Sequence, residues 1–566
     1  MGRINDAFTV VYIGIAGGLY LRPEYAILNS RILSITLLLA AIITFKILYQ
    51  FSLYPKYFTP LKHIQTPKER TWLRGNTKSI FLETPYAEIR EWIHTMSNDD
   101  IIRYYVVGNL ERVMCTSPKA LGELLVTKVY DFEKPEIFRK SFRRVVGDGI
   151  LLAEGEEHKV CLTLSKLRSP KYACATFTCA IQRKNLMPAF AYRHVKDLYQ
   201  VFWAKSTEMV NMIQEDLDKP SRKIESHTDN TIKIDTWASR TTLDIIGIAG
   251  MDYDFDSLRN KDSEVNRTYR RIMDPPSTSM KILFVLGMLI GKPEFAQSLP
   301  TARNKEIQES GEVIRSVARQ MIRQKKAKME DPTAETGIDI ISVALKSGTF
   351  DEENLVDQSM TFLGAGHETT ATALQWAIYA LCKHPDVQSK LRDEIRSNLP
   401  SINDSTPMSA AAIDNLPYLN AVCNEVLRYY PSVPTTARKA VRDTTLAGKH
   451  IPKDTTLILS PRIINRMEEF WGEDADKFNP DRFMGPGKAN TGGATSNYAL
   501  LTFLHGPRSC IGQGFAKAEL ACMVAAMVGR FHIELKFPDA KLELREGATV
   551  CPKDGVVTLM TPLEGW

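Results

Sequence analysis

The chain has 566 residues, 44% apolar and 24% charged, a balance that excludes disorder as its main state. Its net charge of +6 is small and dispersed, so nucleic acid is not an expected partner. Nine cysteines without regular C-x-x-C spacing exclude a zinc module and a disulfide scaffold, and suit a reducing, cytosol-facing compartment.

The first features in chain order are two apolar runs. Residues 8–21 form a run too short to span a bilayer comfortably, open to reading as a second membrane segment or a signal core, although no convincing cleavage site follows. Residues 32–51 form the main candidate span, with Lys46 its only charge and near one end, where it can snorkel to the headgroups. Residues 1–52 are therefore expected to be an N-terminal transmembrane anchor. Residues 53–75, with Pro55, Pro60 and Pro67 among charged side chains, read as a stiff polar linker.

Residues 76–566 then form one large domain. Residues 101–107 and 110–115 read as two strands joined at Gly108-Asn109, a hairpin signal. Ser117-Pro118 opens a helix to about residue 126. Helical spacing dominates afterwards, over 234–251, 306–329, 337–346, 351–383, 386–399, 416–429 and 513–530. Pro275-Pro276, Lys292-Pro293, Asp331-Pro332 and His384-Pro385 act as breakers. Short strands are expected at 447–451, 457–460 and 555–560. The fold class is mainly α with a small β region.

Three patterns carry chemistry. In the first, Phe503, Gly506, Pro507, Arg508, Cys510 and Gly512 form a tight loop with a thiol at a helix N-terminus, where free N–H groups and the helix dipole lower a thiol pKa. Such a thiolate is an iron ligand; taken alone, Cys510 reads equally well as a buried, inert cysteine. The second is Ala365-Gly366-His367-Glu368-Thr369-Thr370 in mid-helix. Small residues there let a flat ligand approach the backbone, a Thr hydroxyl can bond back to a carbonyl, and an acid beside an alcohol can relay protons. The third is Glu425 with Arg428 on one helix face, followed by a second cation at Arg482.

Together these patterns resemble the cytochrome P450 family over roughly residues 75–565. The resemblance implies the P450 fold, a haem b cofactor (iron protoporphyrin IX), and Cys510 as the axial iron ligand. It implies that Thr369 and Glu368 deliver protons to bound dioxygen, near Ala365 and Gly366, and that Glu425, Arg428 and Arg482 form a buried structural triad. Phe503 belongs to the haem loop. Arg508 and Arg438 match positions that hold the propionates. The implied reaction inserts one oxygen atom of dioxygen into an organic substrate, with electrons from a separate NADPH-dependent flavoprotein reductase. Apolar or small segments at 131–149, 275–291, 360–365, 432–436 and 553–557 imply a lipophilic substrate. The overall style is that of fungal microsomal members in secondary metabolite biosynthesis, placed at the endoplasmic reticulum membrane with the catalytic domain facing the cytosol. Members that rearrange or dehydrate peroxides or oximes are one alternative, against which the intact Glu368-Thr369 pair speaks. A protein inactivated by an interrupted haem helix is another.

That interruption is the main departure. The family's third propionate donors come from a Trp- or His-x-x-x-Arg pattern; His158 matches its start, but Leu162 stands where Arg is expected. Residues 161–181 carry three cysteines and no acidic residue, and Ser169-Pro170 forbids one continuous helix. Removing them puts Arg183 at the missing spacing from His158. The segment reads as a retained intron translated in frame, although plausible splice signals would also remove Val160 and Gln182. A genuine surface loop is the alternative.

Overall fold

A computed structural model describes residues 30–77, 86–96, 100–155, 179–224, 227–261, 263–274, 276–289, 294–333, 339–404 and 406–566, together with Gly14. The 8–21 run, apart from Gly14, lies outside the described residues, as do His158, residues 161–178, the breakers Pro275 and Lys292-Pro293, and residues 337–338. The chain forms two compact units.

One unit takes residues up to 120, 276–300 and 437–458. Its first helix, α1 (Arg31–Leu48), starts at Ser30, whose hydroxyl accepts from the Leu33 N–H. The helix continues as a wider π turn over Tyr49–Phe58 with Pro55 inside; an i→i+5 turn has already broken the ladder that a proline would break. The helical stretch Ile32–Phe58 is long enough, and apolar enough in its N-terminal part, to cross a membrane. The first residues of the expected linker, through Phe58, are thus helical. Beyond them the strands β1 (Ile101–Val106) and β2 (Leu110–Cys115) pair antiparallel as the sequence predicts. Gly108 (φ 72°) and Asn109 (φ 53°) supply the left-handed turn. Strand β2 pairs in parallel with Thr456–Leu459, next to Thr436–Ala440. The strand expected at 447–451 is instead the end of a tight hairpin, because Ala447 (φ 50°) and Gly448 (φ 82°) turn between Thr444–Leu446 and Lys449–Ile451.

The larger unit is helical. Its helices include α2 (Glu136–Val146), α3 (Cys179–Leu186), α4 (Tyr199–Leu217), α5 (Ile234–Met251), α6 (Glu264–Met273), α7 (Ala302–Glu330), α8 (Glu352–Lys383), α9 (Pro417–Tyr429) and α10 (Gln513–Arg530), with the expected helices also present at Ile340–Lys346 and Pro385–Asn398. Its strands include β3 (Thr231–Lys233), β4 (Phe531–Leu535), β5 (Leu544–Glu546), β6 (Val550–Pro552) and β7 (Val557–Pro562). Strands run β4-β7-β3 in one antiparallel sheet, and β5 with β6 forms a separate hairpin. Helices α5 and α10 have the bounds their apolar spacing predicts. Helix α8 starts one residue late because Asp351 is its cap and accepts from the Asn354 N–H. The sequence reading names no helix at α2, α3, α4 or α6 and no strand at β3, β4, β5 or β6. Strands this short carry too few alternations to register. The core is continuous, with Leu363, Leu374 and Ile378 of α8, Leu520 and Val524 of α10, Leu243 of α5 and Phe202 of α4 all buried.

Candidate active site around Cys510

The loop before Cys510 rests on a buried charge cluster. Glu425 and Arg428 are both 0% exposed, Arg482 8%. Arg428 grips Glu425 with two parallel bonds, Nε to Oε2 at 2.6 Å and Nη2 to Oε1 at 2.7 Å. Arg482 Nε donates to the same carboxylate at 3.2 Å, and so does the Asn479 N–H, at 2.7 Å. The i, i+3 spacing on α9 makes the first contact possible; burial and four lone-pair contacts make it strong. Arg428 Nη1 also donates to the Asn465 carbonyl at 2.6 Å. Asn465 in turn accepts from the Leu501 N–H at 2.8 Å and donates to the Thr502 hydroxyl at 2.9 Å. The chain entering the loop at Phe503 is therefore fixed from α9. Asn465 has no role in the sequence reading, since nothing local marks it.

The loop then tightens into a 3-10 turn over Gly506–Arg508. Gly506 has φ +78°, and a Cβ there would come within 2.1 Å of the Leu125 carbonyl oxygen, so only glycine fits. The Cys510 N–H closes the loop onto the Phe503 carbonyl at 2.9 Å. Of Cys115, Cys382, Cys423, Cys510, Cys522 and Cys551, only Cys510 is exposed. It is open to solvent yet ringed by protein atoms, and this burial pushes its thiol up, while the Gly512 N–H and the Arg183 charge pull it partly back. The lowered thiol expected from the helix terminus is thus corrected: desolvation outweighs the Gly512 N–H and the Arg183 charge.

Arg183, on α3, reaches this loop, with Nη2 3.4 Å from the Ser509 hydroxyl. Arg508 is 5% exposed and donates through Nη1 to the carbonyls of Val129 and Phe132 at 3.1 and 2.6 Å. Its Nη2 lies 2.7 Å from Glu154, which also pairs with Lys134 at 3.0 Å. Its Nε is buried without an acceptor. Arg438 lies in the other unit on Thr436–Ala440, 2% exposed, with Nη1 donating to the Ala437 carbonyl at 2.8 Å.

Helix α8 is buried at every position from 360 to 378 except Ala365, Gly366 and Thr369. Those three share one face (i, i+1, i+4). The Thr369 hydroxyl donates to the Ala365 carbonyl at 2.8 Å, the back-bond the sequence predicts. A Cβ on Gly366 would meet Ile246 of α5 at 2.9 Å, so the close approach of α5 is what demands this glycine. Glu368 is 9% exposed and accepts from the Thr549 hydroxyl at 2.9 Å. Burial pushes its carboxyl up; Thr549 and the charge of Arg545 pull it back down. His367 is fully enclosed between the Ser239 hydroxyl, 3.4 Å away, and the Tyr269 ring, and burial lowers its pKa to about 4. It stays neutral at physiological pH.

This geometry agrees with sequence comparison. A sequence model of the family "Cytochrome P450" matches residues 178–559. The chain belongs to the cytochrome P450 family. It is similar to the cytochrome P450 monooxygenase sphH of Aspergillus fumigatus, 57% identical over 100% of both chains. It is also similar to the P450 monooxygenases ALT8 of Alternaria alternata, 38% identical over 91% of this chain and 92% of the relative, and FSL4 of Gibberella zeae, 38% identical over 92% and 91%. As a P450 it is a haem-thiolate oxidoreductase of the monooxygenase class, using haem b. The residues present fit that group: one accessible thiol, two arginines at its loop, and a buried guanidinium N–H lacking an acceptor, as burial of a propionate requires.

Proposed function

We propose that the protein is a membrane-anchored monooxygenase that oxidises a lipophilic intermediate of fungal secondary metabolism. The accessible Cys510 in the loop just before α10, with Arg183 and Arg508 at that loop, carries this reading. Cys510 would bind the haem iron through its thiolate, Arg508, Arg183, Arg438 and His158 would hold the propionates, and Phe503 would pack at the loop. Bound haem would supply the iron at which dioxygen is activated. Ala365 and Gly366 leave room on the open face of α8, Thr369 passes a proton from its hydroxyl, and Glu368 replenishes it. Electrons come from an NADPH-dependent flavoprotein reductase. The anchor holds the protein in the endoplasmic reticulum membrane, the catalytic bulk facing the cytosol.

Residues 161–181 are a retained intron on this reading. Arg183 reaches Ser509, as the family's haem-helix arginine should, and the family match begins at 178, at the downstream end of the segment. The decisive test of the site is Cys510→Ser. The reduced CO complex of the wild-type protein should show the thiolate-type Soret band, and the variant should lose it. A variant that keeps the band would place the ligand elsewhere.

A further inference from the structure

The hairpin β5–β6 docks on α8 at the point where the acid and the alcohol sit. The Trp376 indole N–H donates to the Val550 carbonyl at 2.7 Å, and the Val550 N–H donates to the Ser432 carbonyl at 3.0 Å. The Ser432 hydroxyl donates to the Thr369 carbonyl at 2.8 Å. From the same hairpin, the Thr549 hydroxyl donates to Glu368 Oε1 at 2.9 Å. Arg545 stands directly across the hairpin from Cys551, and its charge acts on both Glu368 and Asp235. Thr549 is 7% exposed, whereas Arg545 is half-buried and the turn at Gly547 and Ala548 is exposed. One short hairpin thus fixes the carboxyl of Glu368 and, through Ser432, the backbone of Thr369, and it runs from that point to solvent. Adjacent side chains on a helix diverge by about 100°, so Glu368 is held on the hairpin side of α8.

We propose that the hairpin Leu544–Pro552 is the solvent-side support of proton delivery, with Thr549 and Arg545 as positioning residues for Glu368. This rests on the role given to Glu368 and Thr369 above. In the step concerned, Thr369 releases its hydroxyl proton, Glu368 gives its own proton to Thr369, and solvent at the Arg545 end returns one proton to Glu368; three protons move and no other bond changes.

Thr549→Val removes the hydrogen bond and keeps the shape. It should lower product formed per NADPH about fivefold, the worth of one such bond, with haem content and thermal midpoint unchanged. Thr549→Ser should restore it. The infrared carboxyl band that disappears in Glu368→Gln should shift in Thr549→Val and return in Thr549→Ser, whether or not substrate turns over. Should the valine variant fail to fold, Arg545→Gln carries the same test. Wild-type coupling and an unmoved band in Thr549→Val, with Glu368→Gln uncoupled, would overturn the hairpin's role alone. Wild-type coupling in Glu368→Gln would overturn the relay, and this inference with it. Equal loss in the valine and serine variants would reduce Thr549 to packing.

Discussion

At the scale of single residues, Glu425 has the most to lose. It is one fully buried carboxylate set against two guanidinium groups, with the Asn479 N–H as its remaining donor. Removing it leaves buried cations uncompensated, which costs about 3–5 kcal/mol. Glu425→Ala should therefore give little haem-bearing protein and a sharply lowered thermal midpoint, although it touches no reacting atom. A variant with wild-type stability and haem content would show the cluster to be idle. The triad could be read from sequence because two members share a helix face and the third follows in a distinctive run. Asn465, which passes its order to Leu501 and Thr502, could not, since its partners come from two distant stretches, α9 and the chain entering the loop.

At the scale of elements, the N-terminal helix does two jobs. Up to Leu48 it is exposed and apolar, with Ile32, Leu37, Ile43 and Phe45 all open, as a span surrounded by lipid would be. From Tyr49 on it belongs to the folded unit. Gln50 donates to the Gly108 carbonyl and Asn109 to the Phe51 carbonyl, each at 3.0 Å, and Phe51, Leu61 and Ile64 are buried. A chain starting at Tyr49 should leave the membrane fraction and keep its haem spectrum. One starting at Lys68 should leave the membrane too but lose several kcal/mol of stability, about 2–5 kcal/mol for each large buried side chain removed. Fractionation and thermal unfolding of the two chains check this; firm membrane retention of both would place the anchor elsewhere.

At the scale of the whole molecule, the proposed intron at 161–181 is tested on the transcript. Transcripts lacking those codons are expected, and the shorter protein should take up haem more fully than the 566-residue chain; transcripts that always carry the codons would refute the retained intron. The sequence by itself determined the family and the main helices, and marked the thiol and the acid–alcohol pair as candidates. Each of these is a local matter: a period of three to four residues, a glycine at a left-handed turn, a cysteine before a helix. It also placed α5 and α10 at their observed bounds, because both bury most of their faces and so carry apolar residues throughout. Only the tertiary structure decided that Gly366 answers to Ile246 and that desolvation raises the Cys510 thiol. Only there does Glu368 meet Thr549, 181 positions away in sequence. Those outcomes depend on which surfaces lie within a few ångströms of each other. Chain spacing does not encode that distance; packing sets it.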